Sequence, residues 1–397
     1  MKIMMDISQP IKLERRIDID WLRIFATLMI FFFHSARAFD TIPFHIKNGE
    51  TYMSFTVFII FTSIWIMPLF FMLSGISSYY ALRHRTQKEF IKERSKRLMV
   101  PYIFAICTVL SIHVYFEALF GSDYLPPFNG SFLEFFFLNY FSRGFYGEGG
   151  FFPITGIYLW FILFLFIFSM ISLKLFIYFR KVTIEYKLSK LADFCTKKGG
   201  ILILVIPLIL LQLIGILFLG FLVLSGWSIL VYLCIFIYGY IFASNDKFKK
   251  AIDKNYTLTF IIGIISSIIA IIAYLNLSFE ITVLILFIVF APLGCLCWLV
   301  TILGFANKYL NKNSKHLKQL NDLVLPFYII HQTIIVMVDY YIIQLNISVI
   351  LKYLIVLAIA FGLTLGLVLI IRKINILRLL FGMRLKKNQN PNQALNT

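Results

Sequence analysis

Long apolar runs separated by short polar segments dominate the chain. The runs are about 20 residues long, which is the length a helix rising 1.5 Å per residue needs to cross a hydrocarbon layer roughly 30 Å thick. They lack the polar and apolar alternation that a soluble α/β domain would show. The pattern predicts ten helices, near residues 20–40, 54–81, 101–120, 154–178, 200–220, 226–244, 257–276, 281–304, 323–345 and 349–371.

The basic residues are spread unevenly over the segments between these helices. If the N-terminus is cytoplasmic, 33 of the 37 lysines and arginines fall on the cytoplasmic side, and the other four are Arg37, Lys47, Arg143 and Lys352. Positive charge collects on the cytoplasmic side of membrane proteins. We therefore predict an all-α integral membrane protein, a bundle of about ten transmembrane helices with both termini in the cytoplasm.

The polar segments are too short to form a soluble domain. We expect a cytoplasmic N-terminal segment (1–19), a membrane domain (20–371) and a basic, polar cytoplasmic tail (372–397) that is disordered at its end. The longest segment on the opposite side, 121–153, is rich in glycine, proline and aromatic residues. It is typical of a re-entrant or surface-lying flap.

Composition excludes several classes of function. The chain is 60% apolar and 14% charged, with a net charge of +18, but the basic residues are scattered over short loops. We therefore expect membrane lipid, and no nucleic acid, as a partner. The five cysteines have no spacing typical of disulfide or zinc frameworks, so we expect no metal and no permanently bound cofactor.

The first helix carries a polar stripe. Arg23 and His34 are eleven residues apart, which places them on one face of a helix and about 16 Å apart along its axis. Asp20 lies a turn before Arg23, and Arg37 a turn after His34. A lone histidine at this depth is equally typical of a hydrogen bond between helices, but arginines on the same face favour a functional site.

Other ionisable residues are ambiguous. His331, in the stretch Tyr328–Gln332, is compatible with a structural hydrogen bond or a catalytic role. The same holds for His113 and Glu117, which could simply lie at the headgroup level. The basic segment 83–97 could bind anionic lipid headgroups or a phosphorylated cytoplasmic ligand.

Five stretches resemble the acyltransferase 3 family of membrane acyltransferases. They are Arg16–Arg23 followed by His34, then Pro68–Gly75, Phe90–Pro101, Leu159–Phe161 and Tyr328–Gln332. Asp-Trp-Leu-Arg and Tyr-Ile-Ile-His-Gln are most similar to the branch that contains glucan succinyltransferases. Many relatives carry a histidine where this chain has Tyr158.

The resemblance implies transfer of a short acyl group from cytoplasmic acyl-CoA, a co-substrate, to an extracytoplasmic hydroxyl acceptor, often a glycan. It also implies that Arg23 and His34 are required, and that the membrane is a bacterial cytoplasmic (inner) membrane crossed many times.

A hydroxyl that attacks a thioester needs a base, and histidine suits that role near neutral pH. We therefore assign His34 as the base. Arg23 would bind a coenzyme A phosphate or stabilise developing negative charge. The supporting candidates are Asp20, Arg37, Tyr328 and His331. The candidates for acyl-CoA binding are Arg83, Arg85, Arg94 and Arg97. The sequence contains no nucleophile motif, which favours direct transfer over an acyl-enzyme.

Two rival interpretations remain at this point. A secondary transporter or exporter of an anionic solute or glycan precursor would also carry buried charges and a basic mouth. A purely structural membrane protein would leave the shared face of Arg23 and His34 unexplained.

Overall fold

The structure is a computed structural model. It describes residues 16–122, 124–146, 148, 150–218, 223–276 and 281–385. Most of the predicted N-terminal segment 1–19 and the end of the predicted tail, 386–397, lie outside the described residues.

Helices account for most of the described residues. The α-helices are α1 Ile17–Ala36, α2 Met53–Arg83, α3 Gln87–Arg94, α4 Val100–Cys107, α5 Val109–Phe120, α6 Phe132–Glu134, α7 Trp160–Ile171, α8 Leu173–Tyr178, α9 Val182–Cys195, α10 Val205–Phe218, α11 Ile229–Ser244, α12 Asp246–Leu275, α13 Ile281–Tyr309, α14 Leu317–Ile342, α15 Val349–Ile371 and α16 Asn375–Leu380. Short π-helical turns span Ser95–Met99 and Phe135–Asn139, and 3₁₀ turns span Ile157–Leu159 and Gly200–Leu204. One small antiparallel hairpin pairs β1 Val223–Leu224 with β2 Trp227–Ser228.

Length and hydropathy identify this as an all-α membrane protein. Among the described residues, seven helical stretches are long and apolar enough to cross a membrane: Met53–Arg83, Gln87–Phe120, Gly200–Phe218, Asp246–Leu275, Ile281–Tyr309, Leu317–Ile342 and Val349–Ile371. Two shorter apolar helices are Ile157–Ile171 and Ile229–Ser244. The count of ten spans and the cytoplasmic placement of both termini stay predictions.

The basic segment after α2 is helical. Thr86 accepts a hydrogen bond from the backbone N–H of Glu89, whose side chain accepts one from the backbone N–H of Thr86. This capping box starts α3, and a π-helical turn then leads directly into α4. The sequence pattern did not predict this continuous helix. The predicted helix began only near residue 101, where the apolar run starts, because α3 is polar.

Close packing of α2 against α11 depends on two glycines. A Cβ atom at Gly75 would lie 2.0 Å from the Phe236 carbonyl oxygen, and one at Gly239 would lie 2.1 Å from that of Met72. Both separations are shorter than any van der Waals contact, so only glycine allows these backbones to approach so closely.

Helix α1 packs against α14 through aromatic side chains. The Phe31 ring lies 5.7 Å from the Phe327 ring, a separation typical of favourable edge contacts. Residues three and four positions further along a helix lie on the same face. This contact therefore sets the polar residue His34 of α1 opposite His331 of α14.

The segment between α5 and α7 forms a small core of its own on α5. Its buried members are Val114, Ala118, Leu125, Phe128, Phe135, Tyr140 and Phe151. The Tyr140 hydroxyl donates a 2.6 Å hydrogen bond to the Ile106 carbonyl oxygen. These contacts attach the segment to the helical bundle.

Candidate active site

Two histidines from distant parts of the chain meet inside the bundle. The ring centroids of His34, on α1, and His331, on α14, are 5.2 Å apart. The ring of Tyr158 lies 6.4 Å from His34 and 5.7 Å from His331. Two of the predicted site residues, His34 and His331, therefore share one site.

Each of these histidines has a buried ring nitrogen that lacks a partner in the described part of the chain. His331 Nδ1 lies 2.7 Å from the carbonyl oxygen of Tyr328. A carbonyl can only accept, so Nδ1 carries the hydrogen and Nε2 is the free acceptor of the neutral ring. Among the described residues, neither His331 Nε2 nor His34 Nδ1 has a hydrogen-bond partner. The pair thus retains unused hydrogen-bonding capacity, which is rare for buried polar atoms.

Two tyrosines fix the surroundings of the histidine pair. The Tyr158 hydroxyl donates to the Ile329 carbonyl oxygen at 2.6 Å and contacts Thr333 Oγ1 at 2.9 Å. The Tyr328 hydroxyl donates to the Tyr158 carbonyl oxygen at 2.6 Å. The Tyr158 hydroxyl therefore bonds the backbone of α14. Both tyrosines therefore position α14.

His34 borders two adjoining cavities. The main cavity has a volume of about 340 Å³, and its lining includes His34, Arg37, Phe44, His45, Trp227, Tyr274 and Gln332. The narrow cavity has a volume of about 40 Å³, and its lining includes Ile30, His34, Ile66, Met67 and Tyr328.

The two cavities differ in the lining residues nearest His34 in the sequence. Arg37 and Phe44, which follow His34, line the main cavity but not the narrow one. The narrow cavity is bordered by Ile30, which precedes His34 and lies toward Arg23. His34 therefore lies between a larger cavity, which has seven Phe, Tyr and Trp side chains in its lining, and a narrow space whose lining includes Ile30, one turn closer to Arg23.

Arg23 lies within a polar group at the start of α1. Its Nη1 forms a 2.9 Å ion pair with Asp20 Oδ1, and its Nη2 donates to Ser77 Oγ. Arg94 Nη2 donates to Ser78 Oγ at 2.9 Å. Two arginines from different helices thus contact neighbouring serines of α2.

The other predicted acyl-CoA ligands have separate partners. Glu93 is 2.9 Å from Arg85 and 3.6 Å from Arg97. Arg83 donates to the Tyr79 hydroxyl at 3.0 Å. Of the four arginines proposed from the sequence, Arg94 is the one with a contact next to that of Arg23.

Arg37 shapes the segment that follows α1. Its Nη1 lies 2.5 Å from Asp40 Oδ2, and its guanidinium carbon lies 4.6 Å from the centroid of the Phe44 ring. Asp40 also pairs with Lys47 at 2.9 Å. Burial lowers the pKa of Lys47, an effect that the Asp40 carboxylate opposes. Arg37 therefore lines the main cavity while holding Asp40.

Sequence reasoning missed several residues of the cavity lining. Phe44, His45 and Trp227 come from the segment after α1 and from the β-hairpin, where no periodic pattern marks them. Gln332 follows His331 directly, so the matching Tyr-Ile-Ile-His-Gln stretch was the available signal. Its Oε1 is buried and without a partner in the described part of the chain.

Comparison with known proteins identifies the family. The acyltransferase domain family (acyltransferase 3) matches residues 16–373 of the chain, a range that includes every site residue named above. No curated protein and no solved structure matches the chain. The family match covers most of the sequence, and the helices are those of a multi-pass membrane protein. The chain therefore belongs to the acyltransferase 3 family of membrane acyltransferases.

Proposed function

We propose that this protein transfers a short acyl group from cytoplasmic acyl-CoA to a hydroxyl of an extracytoplasmic acceptor, such as a glycan. The observation that carries the proposal is the position of His34, which borders both the main cavity and the narrow cavity toward Arg23. A donor entering from one end of α1 and an acceptor entering from the other would meet at this side chain.

His34 acts as the general base in this scheme. Because Nδ1 is buried, Nε2 is the nitrogen available to a substrate in the cavity. Nε2 takes the proton of the acceptor hydroxyl as its oxygen attacks the thioester carbonyl carbon. The tetrahedral adduct then collapses, the carbon–sulfur bond breaks, and the imidazolium returns the proton to the departing thiolate.

His331 is proposed as the residue that orients His34. Its protonated Nδ1 is held by the Tyr328 carbonyl, so its Nε2 can accept a hydrogen bond from His34 Nδ1–H once the two rings, whose centroids are 5.2 Å apart, rotate toward each other. Such a bond would select the tautomer of His34 whose Nε2 is unprotonated. An orienting partner of this kind is a general requirement for a histidine base.

Arg23 suits phosphate binding better than stabilisation of the reacting carbonyl. Its α-carbon is about 16 Å from that of His34 along the helix axis, at 1.5 Å per residue, and its side chain contacts Asp20 and Ser77. Together with Arg94, it offers two guanidinium groups to the phosphates of coenzyme A. Asp20 orients Arg23. Arg83, Arg85 and Arg97 would contribute longer-range attraction.

Several finer points are part of the same proposal. Arg37 would order the wall of the acceptor cavity, and the site would act in a bacterial inner membrane with both termini in the cytoplasm. The Asp-Trp-Leu-Arg and Tyr-Ile-Ile-His-Gln stretches support a relationship to the glucan succinyltransferase branch, so succinyl-CoA is a donor to test beside acetyl-CoA.

The direct test is thioester consumption by the purified full chain. We expect thiol release from acetyl-CoA or succinyl-CoA, stimulated by a bacterial membrane glycan fraction, with the acyl group recovered in ester linkage on glycan. A transporter would leave the thioester intact. Failure of the wild-type protein to consume either donor with glycan present would contradict the proposal and favour transport.

A further inference from the structure

A second polar cluster lies beyond the main cavity. His45 belongs to the segment after α1, and His113 and Glu117 lie one turn apart on α5. One donor atom of each lies within 4.8 Å of the other two. His113 and Glu117 are fully buried in the protein.

His113 is unsatisfied in its present surroundings. Both of its ring nitrogens are buried, and neither has a hydrogen-bond partner within the described ranges. Its Nε2 lies 3.7 Å from Glu117 Oε2, which is too long for a hydrogen bond. Burying an imidazole without a partner costs free energy that a ligand at this point would recover.

Hydrogen bonds to one oxygen, Oε1, orient the Glu117 carboxylate. Oε1 accepts hydrogen bonds from the hydroxyls of Ser122, at 2.8 Å, and Tyr146, at 2.9 Å. Oε2 lies 2.9 Å from His45 Nδ1, and the Tyr146 hydroxyl lies 3.2 Å from Oε2 and 3.1 Å from His45 Nδ1. Hydrogen bonds that orient a ligand in this way are typical of metal sites.

We propose that His45, His113 and Glu117 bind one divalent cation of the zinc class. Two imidazole nitrogens and one carboxylate oxygen form a common zinc donor set, whereas magnesium and calcium prefer oxygen ligands. Two atoms each about 2.1 Å from a tetrahedral zinc ion lie roughly 3.4 Å apart, and the two separations from Glu117 lie on either side of that value. Three protein ligands leave one position for water.

The ion would connect two parts of the molecule. His45 also lines the main cavity, so its fixation to α5 would hold one cavity wall in place. Spacing along the sequence does not reveal the site, because His45 is distant in sequence from the His113 and Glu117 pair. The inference concerns ion binding and is independent of the proposed acyl transfer.

Zinc binding to the purified full chain tests the proposal. After chelator treatment, Zn²⁺ alone is titrated in competition with a chromogenic indicator, using wild type, His113→Ala, Glu117→Gln and the matched control His316→Ala. His316 is exposed at the start of α14. We expect one tight site per chain in wild type and in the control, and binding at least 100-fold weaker in the other two variants.

A fallback keeps the test decisive if a substitution in α5 prevents folding. His45→Ala changes a side chain in a non-helical segment, and it should weaken Zn²⁺ binding by a similar factor. In addition, Co²⁺ bound to wild type should give the intense visible absorption of a four-coordinate site. The proposal is overturned if wild type binds no Zn²⁺, if well-folded His45→Ala binds it as tightly, or if Co²⁺ gives only the weak six-coordinate spectrum.

Discussion

His34 and His331 are neighbours whose unpartnered nitrogens could satisfy each other. His34 contributes Nδ1 and His331 contributes Nε2, and both are buried. In the protein interior an unused donor or acceptor is costly, so this arrangement suggests a pair that completes its hydrogen bond when substrate enters. We therefore expect proton transfer by His34 and orientation of its ring by His331.

Removing His331 should slow the reaction without weakening donor binding. We expect His331→Ala to lower kcat by up to roughly 10²-fold, less than loss of a general base, which typically costs roughly 10²–10⁴-fold. KM for acyl-CoA should change little, and the pH dependence of kcat should shift because the partner of the base is lost. Steady-state kinetics over a pH series measure all three quantities. An unchanged pH profile together with unchanged kcat would exclude the orienting role.

Arg94 should contribute to donor affinity. We expect Arg94→Ala to raise KM for acyl-CoA roughly 10-fold or more, because a hydrogen bond to a charged group is worth about 1.5–3 kcal/mol. Arg143→Ala is the matched control, since Arg143 lies in the segment beyond α5 and its guanidinium packs on the Phe151 ring. If Arg94→Ala leaves KM for acyl-CoA unchanged, as the control should, then Arg94 does not bind the nucleotide part of the donor.

The contact between α2 and α11 fixes the position of α2 in the bundle. Helix α2 supplies Ser77 and Ser78 at one end and cavity residues such as Ser63 at the other. The position of α2 therefore fixes both the serines that bind Arg23 and Arg94 and one wall of the main cavity. The glycines at the contact fix that position.

A methyl group at the contact should destabilise the protein. We expect Gly75→Ala to lower the free energy of unfolding by about 1–3 kcal/mol, as overpacking typically does, because the new Cβ would meet the Phe236 carbonyl oxygen. Gly362→Ala is the control, since a Cβ there meets no described atom within 4 Å. Thermal unfolding in detergent compares the two. Equal stability of both variants would contradict the close approach.

The sequence predicted elements better than it predicted their junctions. Apolar runs of membrane length indicated the helices, because burial in lipid imposes that length regardless of tertiary contacts. The sequence did not reveal helix α9 or the continuation of α3 through a π turn into α4. Both features lie in polar segments, where no apolar run marks a helix. Helix α1 ends at Ala36 rather than near 40, since the turn after it is set by Asp40 and its partners.

The candidate site was predictable only in part. The spacing of Arg23 and His34 placed both on one face of α1, and the Tyr328–Gln332 stretch singled out His331. That His34 meets His331 depends on the packing of α1 against α14, and that His45 lies near Glu117 depends on the course of a loop. Contacts between segments far apart in sequence are not encoded in local periodicity.

Transfer from a cytoplasmic donor to an extracytoplasmic acceptor requires the two ends of α1 to face opposite sides of the membrane. The distribution of basic residues predicts that Asn313 lies on the cytoplasmic side and Ser142 on the opposite side. Both side chains are exposed. In intact cells, a membrane-impermeant maleimide should therefore label Ser142→Cys and spare Asn313→Cys.

The unsubstituted protein is the control for this labelling, because its five cysteines are buried or partly buried. Labelling of Asn313→Cys alone would invert the predicted orientation. That result would place the Arg23 end away from cytoplasmic acyl-CoA.

Thiol release from acyl-CoA by purified, well-folded variants shows whether His34 carries out proton transfer in acyl transfer. With the wild-type donor preference established, we predict that His34→Ala loses roughly 10²–10⁴-fold in kcat with KM for the donor little changed, while His316→Ala matches wild type. A His34→Ala protein that turns over acyl-CoA and esterifies the glycan at the wild-type rate would contradict the account.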